Sequence, residues 1–263
     1  MRSLLFVPGD RPERFAKARA AGASAVVVDL EDAVAPAGKD AARDAVRQAL
    51  SAEAPVVLRI NAAGTPWFEA DLALAAEAGV RAVMVPKAED AATLARVAAA
   101  GARVLLPLVE TAAGLAGLAA VAAAPRVERL VFGTIDLQAD LGLRDATEDD
   151  LLPWRLQLVL ASRLAGIGAP IDGVCTAIDD APRLAADVAR ARRLGFAGKL
   201  CIHPRQVAAV EAGFAPSAAE LDWARRVLAA AEASGGAAVA VDGKMVDRPV
   251  LLRAQAILQE AGH

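Results

Sequence analysis

VLLPLVETAAGLAGLAAVAAAPRVERLVFGTID, residues 104–136, contains in one run the unit from which the chain is built. An apolar stretch, Val104–Val109, stops at an acid, Glu110. Thr111–Ala122 follows, rich in Ala and apolar at helical spacing, and a second apolar run begins at Arg129–Phe132. That run continues through Gly133, Thr134 and Ile135 to a second acid, Asp136. Runs that are apolar without alternation suit strands buried on both faces. Two of them separated by a helical segment read as a β–α–β unit with parallel strands.

The same rhythm extends in both directions. Candidate strands are Ser3–Val7, Ala25–Leu30, Val56–Ile60, Ala82–Val85, Val104–Val109, Arg129–Phe132, Ile171–Val174 and Lys199–Ile202. Helical segments lie between them at Pro12–Ala21, Lys39–Leu50, Trp67–Ala78, Ala91–Ala100, Thr111–Ala122, Leu151–Gly166 and Ala181–Leu194. Alternating strands and helices describe an α/β protein, either a closed barrel or a doubly wound sheet. A count of eight strands and the lack of a Gly-rich dinucleotide loop after the first strand favour a (β/α)8 (TIM) barrel over residues 1–216. Residues 217–263 form a C-terminal helical extension: a helix at Ala218–Ala233, a Gly235-Gly236 break, an apolar run Ala237–Val241, the stretch Asp242–Pro249 and a last helix. Such an extension must pack on something, its own barrel or a neighbouring subunit.

At 263 residues the chain has the size of one such barrel, about 250 residues. Its composition is 56% hydrophobic but only 3% aromatic, without Tyr, so the core is aliphatic. A net charge of −3 argues against nucleic acid as a partner. Cys175 and Cys201 have no CxxC spacing and read as reduced core thiols of a cytoplasmic protein. The opening Met1-Arg2-Ser3-Leu4-Leu5-Phe6-Val7 places a charge before an apolar run, but Pro8-Gly9-Asp10-Arg11 ends that run too early for a secretory signal. No apolar stretch reaches membrane-spanning length, so no membrane association is expected.

In this fold the reactive groups stand at the C-terminal ends of the strands. The polar residues there are Pro8-Gly9-Asp10-Arg11, Glu31-Asp32, Arg59 with Asn61, Lys87, Glu110-Thr111, Thr134 with Asp136, Cys175-Thr176 and His203. Glu110 and Asp136 close neighbouring strands, and two carboxylates brought close together repel unless a cation or proton lies between them. Two carboxylates completed by waters and substrate oxygens are a usual way to hold Mg²⁺; ion pairs with nearby Arg or Lys explain the same residues as well. Arg59 suits a bidentate clamp on a substrate carboxylate, or a structural partner for Glu31 or Asp32. Glu31 and Asp32 in turn either orient Arg59 and metal-bound water or form a structural acid pair. His203 reads more readily as a residue that satisfies backbone groups than as a general base. Pro86, Glu89 and Asp90 give Lys87 no apolar pocket of the kind a Schiff-base lysine needs.

These segments together resemble the citrate lyase β-subunit-like branch of the HpcH/HpaI aldolase superfamily. The resemblance is carried by residues 2–12, Asp29–Pro36, Leu58–Asn61, Val85–Glu89, Leu108–Thr111, Phe132–Asp136, Gly198–Pro204 and Asp242–Pro249, nearly the whole chain in order. It implies a Mg²⁺-dependent carbon–carbon lyase acting on an acyl-CoA thioester and a 2-keto acid, with CoA as part of the substrate. Glu110 and Asp136 are then the metal ligands, and Arg59 binds the keto-acid carboxylate beside Gly133 and Thr134. Glu31 and Asp32 stand behind these groups. Asp247 is the general acid/base, reaching in from an adjacent subunit of a homotrimer or hexamer, with Asp242 as the fallback. Ile135 and Gln138 depart from the family pattern around the metal-site Asp. The resemblance also admits an aldolase that uses no CoA, a citrate lyase β-type subunit whose citryl thioester rides on an acyl-carrier partner, and a protein that binds Mg²⁺ and oxaloacetate without turnover.

Overall fold

The computed structural model of the chain describes residues 1–233 and 239–261; the Gly235-Gly236 break, the start of the apolar run at Ala237 and the terminal His263 lie outside them. Eight parallel strands form one sheet: β1 (Ser3–Pro8), β2 (Ala25–Asp29), β3 (Val56–Arg59), β4 (Val80–Val85), β5 (Leu105–Val109), β6 (Arg129–Phe132), β7 (Gly168–Ile171) and β8 (Lys199–Cys201). Each of β1 to β6 pairs with the next in sequence, and β8 returns to pair with β1. Between β7 and β8 the ladder is reduced to a parallel bridge, Asp172 to Lys199. Its N–H groups still find partners, Asp172 N donating to Gly198 O at 2.8 Å and Leu200 N to Asp172 O at 2.9 Å. The result is a nearly closed (β/α)8 barrel.

Helices α1 (Phe15–Ala20), α2 (Lys39–Ala49), α3 (Phe68–Leu72), α4 (Ala91–Ala99), α5 (Ala112–Ala116) and α6 (Leu118–Ala122) connect the first six strands, and α7 (Thr134–Asp140), α8 (Leu152–Ala165) and α9 (Ala181–Leu194) the last three. Several differ from the sequence expectation. The segment Thr111–Ala122 breaks at Gly117, where a side chain would come within 2.4 Å of Glu89 O. Only Phe68–Leu72 of the expected Trp67–Ala78 helix is α-helical; tighter i→i−3 turns follow, such as Leu74 N to Asp71 O.

Strand β7 lies earlier than the expected Ile171–Val174, across a stretch that Gly168 and Pro170 disguise as loop. The Arg129 guanidinium supplies what the ladder lacks, donating to Ala169 O at 2.5 Å and Pro170 O at 3.3 Å. The residue that ends this strand is therefore Asp172, and Cys175-Thr176 lie further along the loop. The apolar run before Asp136 also ends sooner than expected: β6 stops at Phe132, and Thr134, Ile135 and Asp136 open α7.

The barrel interior is filled by aliphatic side chains, among them Leu4, Val27, Val57, Met84, Leu106, Leu108, Val131 and Leu200. Both cysteines are free and buried. Burial pushes the Cys201 thiol up to about 12, which leaves it inert.

The chain divides into two compact units, Met1–Glu211 and Ala212–His263. The helix α10 (Pro204–Phe214) runs across that division. The second unit holds α11 (Ala218–Ala233), strands β9 (Val239–Val241) and β10 (Lys244–Val246), and α12 (Arg248–Ala261). Ala224, Val227, Ala254 and Ile257 make its core. Strands β9 and β10 pair antiparallel around Asp242-Gly243, both at positive φ, the turn such a two-residue hairpin favours. The stretch Asp242–Pro249 thus closes a hairpin, which its Asp-Gly signal encodes. Among the described residues no helix is long and apolar enough to cross a membrane.

Candidate active site

Strand parity decides which side chains meet at the barrel mouth, because alternate residues of a strand share a face. Leu4, Val27, Val57, Leu108, Val131 and Leu200 point into the apolar interior. One step of two residues along each strand gives Phe6, Asp29, Arg59, Glu110, Gly133 and Ile202. All six line a single cavity of roughly 320 Å³. Asp32 and Ala33 after β2, Thr134, Ile135 and Asp136 of α7, and the apolar Leu108, Phe132, Val174 and Leu200 complete its wall.

Asp29 stands beside Arg59 in the β2–β3 ladder. Arg59 Nε and Nη2 donate to the two Asp29 oxygens at 2.7 and 2.6 Å. Its Nη1 lies 3.1 Å from Glu31 Oε2 and 3.2 Å from Asp32 Oδ2. The Phe6 ring packs against the guanidinium, 4.9 Å from its centre. Both structural partners expected for Arg59 are therefore present, and a third, Asp29, takes the paired edge that a substrate carboxylate would have used. A guanidinium has five N–H donors, so a substrate meets the charge of Arg59 and a leftover N–H rather than a free fork. Asp29 is the tail of an apolar strand in the sequence, and its only signal there is parity, two residues beyond inward-facing Val27. The loop after it is fixed by the buried Lys39, whose ammonium donates to Leu30 O at 2.7 Å and Glu31 O at 2.6 Å.

Glu110 is 2% exposed. Its Oε1 accepts the main-chain N–H of Lys87 at 2.9 Å, and its Oε2 faces Gly133, where a Cβ would come within 2.6 Å of it. Gly133 is thus needed for the carboxylate to occupy this place. Burial first, then the charge of Glu31, raise Glu110 to about 8; the Lys87 N–H opposes this, Asp136 adds to it and Arg59 offsets part. Glu31 rises to about 7, again chiefly by burial, with Arg59 opposing. Asp136 is exposed, in the first turn of α7, where the helix dipole favours a negative charge.

Four carboxylates (Asp29, Asp32, Glu110, Asp136) and one guanidinium line the cavity. Such an excess of acid around one cavity is relieved either by protons or by a cation. Among the described residues no group of three or more His, Cys, Asp or Glu side chains is arranged to hold a metal. Two hard oxygen ligands with room for water and substrate are what Mg²⁺ accepts. Glu110 and Asp136 fit that ion: one is destabilised as a lone charge, and the other stands at the same mouth.

The remaining expected residues lie elsewhere. His203 Nδ1 accepts the Arg205 N–H at 3.2 Å and does not line the cavity, in keeping with its structural reading. Gln138 donates to Thr134 O at 2.9 Å within its own helix, so of the two departures from the family pattern only Ile135 shapes the cavity. Burial alone would lower the Lys87 ammonium, but Glu31 and Glu110 outweigh it and raise it, the reverse of what a Schiff-base lysine requires. Asp247 belongs to the second unit, where it is exposed and caps α12 by accepting Val250 N at 3.1 Å. Asp242 is held by Arg226 through two contacts of 2.5 and 3.0 Å.

Residues 2–204 match the HpcH/HpaI aldolase/citrate lyase family, and residues 162–263 match a carbon–carbon bond lyase family of the TIM-barrel fold. A citrate lyase subunit beta-like protein of Mycobacterium tuberculosis is 42% identical over 98% of this chain and 94% of its own length. A (3S)-malyl-CoA thioesterase of Cereibacter sphaeroides is 38% identical over 99% of this chain and 94% of its own. Among solved structures, protein CitE of M. tuberculosis in complex with magnesium, acetoacetate and coenzyme A superposes with a TM-score of 0.87 at 42% identity, covering 100% of this chain and 98% of that one. The chain belongs to the HpcH/HpaI aldolase/citrate lyase family of carbon–carbon lyases.

Proposed function

We propose that the protein is a magnesium-dependent lyase that cleaves, or forms, a 3-hydroxyacyl-CoA thioester such as malyl-CoA or citramalyl-CoA, with acetyl-CoA and a 2-keto acid on the other side of the reaction. The observation that carries this reading is the pairing of buried Glu110 with Asp136 in a cavity where acid outnumbers base. The related CitE structures, solved with magnesium and coenzyme A or with magnesium and pyruvate, support it.

Glu110 and Asp136 would hold Mg²⁺, which when bound supplies Lewis acidity at the oxygen that becomes the keto-acid carbonyl. Arg59, fixed by Asp29 and Glu31, keeps a positive charge beside the same oxygens as negative charge develops there. Gly133 and Thr134 line the substrate side of Glu110. In the cleavage direction the 3-hydroxyl gives up its proton to water as its oxygen becomes the keto-acid carbonyl, the carbon–carbon electron pair leaves with the thioester fragment, and Asp247 delivers the proton that turns this enolate into acetyl-CoA. In the reverse direction Asp247 removes that methyl proton. Its rival Asp242 is tied to Arg226, which favours Asp247. This reading carries with it a cytoplasmic enzyme with a barrel over residues 1–216 and a lid over 217–263. It assembles as a homotrimer or hexamer, so that Asp247 serves a neighbouring subunit.

A second outcome has direct support: relatives act as (3S)-malyl-CoA thioesterases, so hydrolysis of the thioester is the competing reaction. A citrate lyase subunit beta of Leuconostoc mesenteroides at 32% identity gives some weight to a carrier-bound citryl thioester. One assay separates these readings. Purified protein is incubated with Mg²⁺ and malyl-CoA, citramalyl-CoA or citryl-CoA, with an EDTA control, and keto acid and free CoA thiol are measured separately. Lyase action yields keto acid without thiol; hydrolysis yields thiol without keto acid. Asp247→Ala is expected to abolish turnover and to retain Mg²⁺-dependent keto-acid binding; full activity in that variant removes Asp247 from the mechanism.

A further inference from the structure

Lys87 follows β4 and Pro86 with its backbone at φ 45°. A side chain with a Cβ is disfavoured in this left-handed region, which Gly and Asn enter more readily. The other non-glycine residues at positive φ among the described ones are Arg126, Asp145 and Asp242; neither these nor Lys87 lines the cavity, but Lys87 donates its N–H to Glu110, which does. A strained residue bonded to an acid of the cavity wall is a place to look for a role.

From this conformation Lys87 serves two acids at once. Its main-chain N–H holds Glu110 Oε1 at 2.9 Å, and its ammonium stands 3.4 Å from Glu31 Oε1. Charges therefore alternate along the mouth from Asp29 through Arg59 and Glu31 to Lys87 and Glu110. The other oxygen of Glu31 faces Arg59 at 3.1 Å, a guanidinium that it shares with Asp29 and Asp32. The Lys87 side chain is 44% exposed, so its charge remains available to a solute approaching the mouth.

We propose that Lys87 is a positioning residue of this site: its N–H fixes which oxygen of Glu110 faces the cavity, and its ammonium draws the anionic keto acid to the mouth. With Oε1 taken, Oε2 beside Gly133 is the oxygen left for a cation. The ammonium adds positive charge on the side where Arg59 is already surrounded by Asp29, Glu31 and Asp32. The inference rests on the lyase reading above, and its test is built on binding so that the two can fail separately.

Lys87→Gly keeps the N–H and suits the left-handed backbone while deleting the ammonium; Lys87→Asn does the same with a side chain that tolerates this conformation. Pyruvate and oxaloacetate are titrated by calorimetry into Mg²⁺-saturated wild type and variants, and melting is followed in EDTA. Both neutral variants should melt at or above the wild-type temperature. A unit charge about 7 Å away at an effective dielectric near 50 weakens a monoanion by on the order of fivefold. The dianion should weaken by about the square of that, on the order of 25-fold. Lys87→Arg should restore both affinities to within about threefold. Equal losses for the two ligands, or none, overturn the inference. Wild type that binds neither ligand with Mg²⁺ present overturns the lyase reading itself.

Discussion

Asp172 at the β7–β8 seam and Glu110 at the barrel mouth are buried to the same degree and hold their protons in opposite ways. Asp172 is 0% exposed and Glu110 2%. Burial by itself would raise both. At the seam, Lys199 Nζ at 2.7 Å and Arg155 Nε at 2.9 Å overcome burial and pull Asp172 below its ordinary value. At the mouth, acids face acids and Glu110 climbs to about 8. The seam is a closed account of charge that stitches the barrel where its ladder thins to one bridge. The mouth is left short of positive charge. Buried acid by itself therefore says little about function; the balance of its neighbours separates a structural cluster from one that awaits a ligand.

The largest effect should come from opening the seam. Asp172→Ala leaves the buried Lys199 without its carboxylate and Arg155 with Glu148 alone, a loss of about 3–5 kcal/mol. That is a large share of the roughly 5–15 kcal/mol that keeps a domain folded. Urea unfolding should show a midpoint far below wild type, or no soluble protein at all. A midpoint near wild type would mean that Lys199 finds another partner and that Glu148, already 2.7 Å from Arg155, suffices to hold the guanidinium.

At the mouth, replacing Glu110 should cost function rather than stability. Because the folded chain raises Glu110 from 4.5 to about 8, its favourable contribution is complete below 4.5 and disappears as pH climbs through 8. Asp172 has the opposite sign: its contribution is present above 3.8 and is lost as the solution becomes acidic. Metal-free protein should thus lose stability between neutral pH and pH 8, and Mg²⁺ should restore it. Each ion bound displaces the Glu110 proton, so Mg²⁺ affinity measured by calorimetry should fall about tenfold per pH unit below 8. Glu110→Gln should be no less stable than wild type, should lose the pH-dependent Mg²⁺ binding, and should lose turnover by roughly 10²–10³-fold or more. A flat affinity profile in the wild type would place the metal away from Glu110.

The barrel was legible because its strands are buried on both faces and so read as unbroken apolar runs, as at Val56-Val57-Leu58 and Leu105-Leu106-Pro107-Leu108-Val109. Glu110 and Arg59 were legible because a charge ending such a run has to face the mouth or water. Asp29 was hidden inside its strand, with Leu30 making the run look one residue longer. The seam was hidden for a different reason. Arg155 lies in α8 and Asp172 beyond a strand that contains Gly and Pro, so only tertiary contact joins them. The rise of Glu110 depends on its burial and on the placement of Glu31 and Asp136, set against the Lys87 N–H and Arg59, which no local pattern encodes. The hairpin turn at Asp242-Gly243 did have a local code, in two residues that favour positive φ.

The smallest effect should come from a pair that copies the mouth's geometry without its burial. Arg226 grips Asp242 through two oxygens at 2.5 and 3.0 Å, much as Arg59 grips Asp29 at 2.6 and 2.7 Å. The first pair lies in solvent, with side chains 46% and 53% exposed, and the second at 10% and 2%. Water screens the exposed charges and already solvates each partner, so little is gained when they meet. Asn tolerates the positive φ that Asp242 adopts, so Asp242→Asn removes the charge without straining the turn. Its urea midpoint should match wild type within measurement error, whereas Asp29→Asn should lower the midpoint and weaken keto-acid binding together. If Asp242→Asn proves the more damaging of the two, burial is not what gives these pairs their weight, and the contrast between mouth and seam loses its physical basis.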